Sequence, residues 1–421
     1  MKKYTVAIIG VGNRGGDVYG RLLMQFPEQF KIVSLCDAKE DRLSLFGDEF
    51  GVDPALRFLS EEAFFAEKRA DLCVIATQDR DHVRHALAAF RLGYDIMTEK
   101  PLSDIATECE ELLAAQKKYG GKALVCHVLR YAPAFVKMNE LLKSGAIGRL
   151  VSIDATERVA YWHQAHSYVR GNWRNRESST PMILAKCCHD LDLLQYYAGA
   201  RCKSISSVGD LTFFKKENAP EGAAARCVDC PHKDTCTYSA TSFYLDKWAE
   251  EGKPTDCWPY TVLAPVPVRE EALVEAVKSG PYGRCVYFCD NNVVDHQITQ
   301  MTFENGVKAT LTMMGFTSVM GRRITFYGTA GEMTLDEKEH AIFVERFGEE
   351  PQRIDTKIIE DNGYGHGGGD LCLVEGLYDM LEGKATAETS LERSVESHLM
   401  GIYAEESRLA GGKLFYVHGE N

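Results

Sequence analysis

Residues 4–15 read Tyr-Thr-Val-Ala-Ile-Ile-Gly-Val-Gly-Asn-Arg-Gly, and the fold class follows from this stretch. Tyr4 to Gly10 is a short continuous apolar run of β-branched character, the pattern of a strand buried on both faces of a parallel sheet. It passes without a break into three glycines spaced G-x-G-x-x-G. Moving outward, similar runs return at Lys31 to Asp37 (KIVSLCD), Asp71 to Thr77 (DLCVIAT), Asp95 to Pro101 (DIMTEKP) and Lys122 to Val128 (KALVCHV). Between them lie segments with helical spacing, such as Val83 to Leu92 and Ala106 to Lys118. Parallel neighbours need a crossover and a helix supplies it, so five strands separated by helices specify a doubly wound α/β sheet.

Beyond Gly145-Ala146-Ile147-Gly148 the rhythm changes. Leu150 to Val159, Gln297 to Phe316 and Arg323 to Asp336 alternate apolar and polar residues, and Asn305-Gly306 is a strong hairpin signal. Helices are expected over Met182 to Ala198, Leu371 to Leu381 and Leu391 to Leu409. The pattern predicts an N-terminal dinucleotide-binding (Rossmann) domain at 1–125. A C-terminal α+β domain at 126–421 follows, with a large, mostly antiparallel open sheet. Residues 217–281, rich in Pro, Gly and Cys, read as an insertion in that sheet.

Size and composition agree with two packed domains. The chain has 421 residues, 45% hydrophobic and 26% charged, which are globular proportions. Forty-eight basic against 61 acidic residues give a net charge of −13, which argues against nucleic acid or an anionic membrane as partner. No apolar run approaches the roughly 20 residues that span a bilayer. The chain enters its first strand directly after two lysines, with no secretory signal in view. A large core needs no disulfides, so the 14 cysteines are expected to be reduced thiols of a cytoplasmic protein.

The glycine motif gains meaning from its place between a strand and a helix. Gly10 permits the tight turn, Gly12 lets backbone approach a pyrophosphate, and Gly15 lets helix pack on strand; Asn13 and Arg14 complete the loop. The helix N-terminus then offers free N–H groups to phosphates. Asp37 ends the second strand, where a carboxylate binds both ribose hydroxyls and repels a 2′-phosphate. NAD is therefore expected, with Arg14 and Arg42 leaving NADP open.

Glu99-Lys100-Pro101 closes the fourth apolar run. Ligands of doubly wound sheets bind outside the carboxyl ends of the strands, so Lys100 is placed to face a nicotinamide. Alcohol oxidation needs a base, and burial beside a cationic ring is expected to lower the lysine pKa by about two or three units. Glu99 is expected to orient Lys100.

Together GVGNRG, TQDRDH (Thr77 to His82), EKP, Arg130-Tyr131, GAIG, Trp173-Arg174, and His189 with Asp192 resemble the Gfo/Idh/MocA family of nicotinamide-dependent oxidoreductases. The resemblance covers nearly all of the chain outside the cysteine-rich insertion. It implies a small-molecule sugar, inositol or related polyol as substrate. It also implies a homo-oligomer, dimer or tetramer, built through the open face of the C-terminal sheet. By the same resemblance Lys100 is the catalytic lysine and His189 the active-site histidine. Trp173 and Arg174 would contact the cofactor, while Thr77, Gln78, His82 and Glu99 line its crevice.

One position departs from the pattern. The family's D-x-G-x-H reads here Ala185-Lys186-Cys187-Cys188-His189, so the carboxylate one helical turn before the histidine is missing. Lys186 either joins the catalytic groups or serves the structure. Ala160 to Arg174 (AYWHQAHSYVRGNWR) holds four aromatics, two histidines and two arginines, a composition suited to sugar faces and hydroxyls. Tyr161, His163, His166 and Tyr168 are substrate candidates from it. Arg130, Asp192, His296, and His366 in Gly363 to Asp370 (GYGHGGGD) are further candidates.

In the insertion, Cys227-x2-Cys230-x5-Cys236 with Cys257 supplies four thiols, a set suited to structural zinc in a segment without its own core. His232, Cys285 and Cys289 are substitute ligands, and an iron–sulfur cluster or unliganded thiols stay open. The leading expectation is a dehydrogenase moving a hydride between nicotinamide and a carbohydrate or cyclitol carbon. The alternatives are an NAD-dependent glycosidase working by transient oxidation, and a non-catalytic NAD-binding regulator.

Overall fold

A computed structural model describes residues 2–357 and 365–419. The first sheet has six parallel strands: β1 Tyr4–Ile9, β2 Phe30–Cys36, β3 Arg57–Phe58, β4 Leu72–Ile75, β5 Asp95–Thr98 and β6 Ala123–Val125. In their order, β3-β2-β1-β4-β5-β6, the connections turn to opposite sides at the paired strands β1 and β4, and that switch point is where a crevice forms outside the carboxyl ends. The five expected strands are present, and only the two-residue β3 is additional. Val6, Ile8, Leu72, Val74 and Leu124 are almost fully enclosed, as strands covered on both faces must be.

The second sheet has nine strands. They are β7 Leu150–Arg158, β8 Cys202–Asp210, β9 His296–Phe303, β10 Lys308–Met314, β11 Gly321–Gly328, β12 Gly331–Asp336, β13 Ala341–Arg346, β14 Gln352–Asp355 and β15 Phe415–Tyr416. Their order is β14-β13-β12-β11-β7-β10-β9-β8-β15, antiparallel throughout except where β7 meets β10 in parallel. Asn305-Gly306 turns β9 into β10 as its sequence demands. One face packs under the helices Cys188–Ala198 and Leu391–Leu409; the other leaves Val151, Val208, Ile298 and Tyr327 exposed.

Three features differ from expectation. The helix foreseen over Met182 to Ala198 is two helices, Met182–Ala185 and Cys188–Ala198, because the backbone breaks at Lys186 and Cys187. Ala185 and His189 therefore do not share a helical face. The helix Gly369–Leu381, though late in the chain, returns to the first sheet, where Leu373, Val374 and Tyr378 pack with Tyr4 and Phe30.

The insertion also differs, because it holds its own cores. One gathers Cys227, Tyr244, Val277 and Tyr282, and another Trp248, Tyr260, Val268 and Leu273. The zinc expectation for Cys227, Cys230, Cys236 and Cys257 rested on a segment without a core and is not met. Cys257 packs in the second cluster while Cys227 lies in the first, its sulfur 3.7 Å from Arg170 Nη2. Among the described residues, no three His, Cys, Asp or Glu side chains gather as a metal site, which covers the iron–sulfur alternative as well. Aromatic burial supplies the stabilisation that the metal was expected to supply. All 14 cysteines are free thiols.

Candidate active site

The glycine loop is built to let another group come close. Gly10 adopts φ +86°, and a Cβ there would strike the Ala76 carbonyl; a Cβ on Gly15 would strike the carbonyl of Gly10. From Asn13 the chain enters a wide helical turn, Asn13–Gly20, continued by Arg21–Met24. Asp37, one residue beyond β2, takes the Val11 N–H at 2.8 Å and the Lys39 N–H at 2.9 Å, which fixes its carboxylate beside the loop. These residues fit a dinucleotide: a cradle whose own positions are glycine, a helix start and a ribose-side carboxylate.

Arg14 does not stand free at this loop. Its Nε donates to Glu99 Oε1 at 2.7 Å, and its Nη2 to Asp370 Oδ1 at 2.7 Å and to the Tyr19 hydroxyl. It is thereby withdrawn from the 2′-phosphate role that kept NADP open, whereas the guanidinium of Arg42 lies next to Gly12. Glu99 also accepts from Tyr19 at 2.9 Å and, through Oε2, from the backbone N–H of Lys100 at 3.0 Å. Its hold on Lys100 is thus through the main chain. Burial alone would raise the Glu99 pKa, but Arg14 and Lys100 outweigh it and keep the carboxylate below its ordinary range.

Two histidines clamp the loop that carries Lys100. His82 Nδ1 lies 2.6 Å from the Pro101 carbonyl and its Nε2 3.2 Å from that of Thr77. His398, on the far C-terminal helix, accepts the Leu102 N–H at Nε2 (2.8 Å) and bonds Ser394 O through Nδ1 (2.6 Å). Burial lowers the Lys100 pKa as expected, yet the charges of Cys188, Glu99 and Asp79 outweigh it, so the group lies above its usual value. The expected depression is not met, because Cys188, Glu99 and Asp79 together favour the charged ammonium more than burial disfavours it. Among the described residues Lys100 makes no ion pair, which leaves its Nζ available.

His189 comes to the same place from the helix Cys188–Ala198. Burial, then the charges of Lys100 and His127, push it well below its normal value, and its Nδ1 is enclosed without a partner. His127 lies 5.8 Å away between ring centroids and His366 6.2 Å away. Both ring nitrogens of His127 are enclosed and unpaired. His366 Nδ1 is 2.9 Å from Asp370 Oδ2, so Asp370 joins this histidine to Arg14 and the glycine loop.

The remaining candidates divide. Trp173 donates its indole N–H to Asp79 at 3.1 Å; Ser179 and Thr180 bond the same carboxylate, which holds the 173–180 segment over the loop after β4. Gln78 is exposed there, and Thr77 Oγ1 pairs with His85 Nδ1 at 3.0 Å. Arg174 is bound to Asp290 at 2.8 Å. Arg130 and Asp192 form a bidentate pair at 2.6 and 2.9 Å, buried on both sides, so they satisfy each other and present no free group. Lys186 lies 3.1 Å from Glu157 Oε1, in a buried network with Arg322 and Asp190.

His166 is stacked on Tyr282 at 4.9 Å and bonded to Tyr244 at 2.7 Å, inside the insertion's packing and away from the crevice. His163 and Tyr168 are also packed inward, their centroids 5.8 Å apart. Tyr161 borders a cavity of about 190 Å³ with Trp162, Tyr238, Phe243 and Lys247. His296 falls on the solvent-facing side of β9 with Ile298, its Nδ1 held by Asp295 at 2.9 Å. Gly363 and Tyr364, the start of the GYGHGGGD segment, lie outside the described residues. Asp79, His127, Asp370 and His398 were not foreseen. Asp370 had a signal in its four-residue spacing from His366, whereas His398, almost 300 residues from Leu102, had none.

Similar proteins place this architecture. Two Gfo/Idh/MocA family models match: the oxidoreductase family's NAD-binding Rossmann fold over residues 4–127, and its C-terminal alpha/beta domain over residues 139–414. The chain is 24% identical to the protein YteT of Bacillus subtilis over 98% of its own length and 99% of that protein's. It is 26% identical to inositol 2-dehydrogenase 2 of Saccharopolyspora erythraea over 46% of this chain and 54% of that one. Among solved structures, an Agrobacterium radiobacter oxidoreductase in complex with NAD+, L-tartaric acid and magnesium superposes with a TM-score of 0.70 at 14% identity, covering 99% of both chains. The WlbA dehydrogenase of Chromobacterium violaceum, in complex with NADH and UDP-GlcNAcA, gives 0.69 at 16% identity, with 99% of this chain and 96% of that one covered. At such identities the likeness is one of fold.

Proposed function

The chain belongs to the Gfo/Idh/MocA family of NAD-binding oxidoreductases, and from that premise we propose that it is a dehydrogenase of a sugar, sugar derivative or inositol that uses NAD. The observation that carries this reading is the convergence of His189 on the loop that holds Lys100: its ring lies 5.8 Å from His127, which lies 5.6 Å from His398, the acceptor of the Leu102 N–H. Residues 1–125 would bind the cofactor and the rest would supply the substrate side. When bound, NAD supplies the hydride acceptor, its pyrophosphate on Gly12 to Gly15 and its ribose at Asp37. The Lys100 ammonium donates a hydrogen bond to the reacting oxygen and stabilises negative charge as it develops there. His82 and His398 fix the loop from both sides so that Nζ returns to one position. Asp79, bonded by Trp173, Ser179 and Thr180, holds the 173–180 segment beside the strand ends.

Lys186 is assigned to charge balance of Glu157 on its observed contact. Inositol dehydrogenases and sugar-nucleotide complexes among the relatives favour a polyhydroxylated substrate. The exposed apolar residues Val151, Val208, Ile298 and Tyr327 on the open sheet support a homo-oligomer built there, and the reduced thiols fit the cytoplasm. A second reading, glycoside cleavage with the cofactor returned to its starting state, draws support from the extra imidazoles of His127 and His366 near His189.

The test is absorbance at 340 nm with purified protein, NAD and a panel of sugars and inositols. Stoichiometric NADH with at least one of them is expected, and a weaker response with NADP. Cleavage of an aryl glycoside without NADH accumulation would favour the second reading instead.

A further inference from the structure

We propose that His366 and Asp370 form the proton-transfer pair of this site, His366 taking the hydroxyl proton and Asp370 holding the ring that takes it; the assignment rests on the dehydrogenase reading above. Oxidation of an alcohol must deliver a proton to some group. The family's carboxylate partner of the histidine is replaced by Ala185, which lies on a separate helix from His189. His189 itself has an enclosed, unpartnered Nδ1. Burial and Lys100 make it a weak base, and Lys100 already carries its proton. Neither group is suited to accept another.

His366 has what His189 lacks. Its side chain is 41% exposed, it stands 6.2 Å from His189 between centroids, and its Nδ1 meets Asp370 Oδ2 at 2.9 Å. The Asp370 side chain is 2% exposed and its other oxygen accepts from Arg14 at 2.7 Å. Burial would raise the Asp370 pKa, but the bonds and charges of His366 and Arg14 reverse this and hold the carboxylate ionised. An ionised carboxylate accepts only, so Nδ1 is the nitrogen that donates to Asp370, and in the neutral ring Nε2 carries the lone pair. The backbone supports the arrangement at a cost. His366 is held at φ +54°, unusual for a residue with a Cβ, ahead of Gly367 and Gly368 at +60° and +87°. Through Arg14 the same Asp370 carboxylate is tied to Glu99 and hence to the Lys100 main chain.

In the oxidation direction the substrate O–H breaks and its proton goes to His366 Nε2. The carbinol hydrogen leaves carbon with its electron pair for C4 of the bound NAD, and the carbon–oxygen double bond forms. The products are ketone, NADH and an imidazolium that releases its proton to water. Lys100 hydrogen-bonds the oxygen throughout and keeps its own proton.

The experiment compares wild type, His366→Gln and Asp370→Asn with NAD and myo-inositol, D-glucose, D-galactose and D-glucuronate. Binding of NADH is followed by fluorescence, and histidine ¹⁵N spectra of the cofactor-free proteins are recorded. For the substrate that wild type oxidises fastest, His366→Gln is expected to lose about 10² to 10⁴ in kcat. NADH affinity should be kept, and added imidazole should restore part of the rate. Wild-type His366 should show the Nδ1–H form, and Asp370→Asn should lose that preference and lower kcat more than it changes the substrate KM. A His366→Gln variant that binds NADH and turns over within threefold of wild type overturns the pair, as does an Nε2–H His366 in wild type. If wild type transfers no hydride to NAD from any of the four substrates, the dehydrogenase reading falls and takes the pair with it.

Discussion

A methyl group on Gly15 would have nowhere to go, because the Gly10 carbonyl occupies that space. Gly15→Ala is accordingly expected to push the helix start off β1 and to weaken NADH binding by more than about tenfold, a loss above roughly 1.4 kcal/mol, in a fluorescence titration. This residue was legible because its role is local: strand, turn and helix are adjacent in sequence. The position of Asp37 at the end of β2, beside the loop, was legible for the same reason. Arg14 was less so, since its partners Glu99 and Asp370 lie 85 and 356 residues away and only folding reveals that it is taken. Arg130 and Asp192 show the same limit. Their residue types suggest polar groups for a ligand, whereas each neutralises the other inside the core.

At the scale of elements, hydrophobic period carried the reading well wherever one element buries one face. Five of the six strands of the first sheet, the hairpin at Asn305-Gly306 and the helix Leu391–Leu409 stand where the pattern put them. The break at Lys186 and Cys187 did not show, because Lys186 leaves the helical path to reach Glu157 on β7, a contact between segments far apart in the chain. The insertion misled for a related reason. Its cysteines, prolines and glycines suggested a metal-stapled loop, whereas Tyr244, Trp248, Tyr260 and Tyr282 are spread thinly in sequence and form cores only when several turns meet. Cys227 and Cys257 then behave as small packing groups.

Across the whole molecule, the site is assembled by the return of the chain's last quarter to its first. His366, Asp370 and His398 reach the cofactor side because the helices Gly369–Leu381 and Leu391–Leu409 pack there. That architecture fills the interior with neutral imidazoles: burial holds His166 and His398 at about 3 and His85 at about 4. The unfolded chain binds protons at these positions below about pH 6.5, and the native one does so only near pH 3 to 4. Their contribution is fully present above pH 6.5 and is lost progressively as pH falls toward 3. Unfolding free energies from urea titrations are expected to fall steadily through that range, at a few kcal/mol per pH unit overall. A flat profile from pH 7 to 4.5 would contradict the buried neutral state.

The central claim is that Lys100 acts on the reacting oxygen beside a bound NAD. The most direct measurement is single-turnover formation of NADH at 340 nm by wild type and Lys100→Ala, each saturated with NAD and a substrate that wild type oxidises. The account predicts that Lys100→Ala binds NADH as wild type does and loses at least about 10² of the rate. Hydride transfer at the wild-type rate in Lys100→Ala would contradict it.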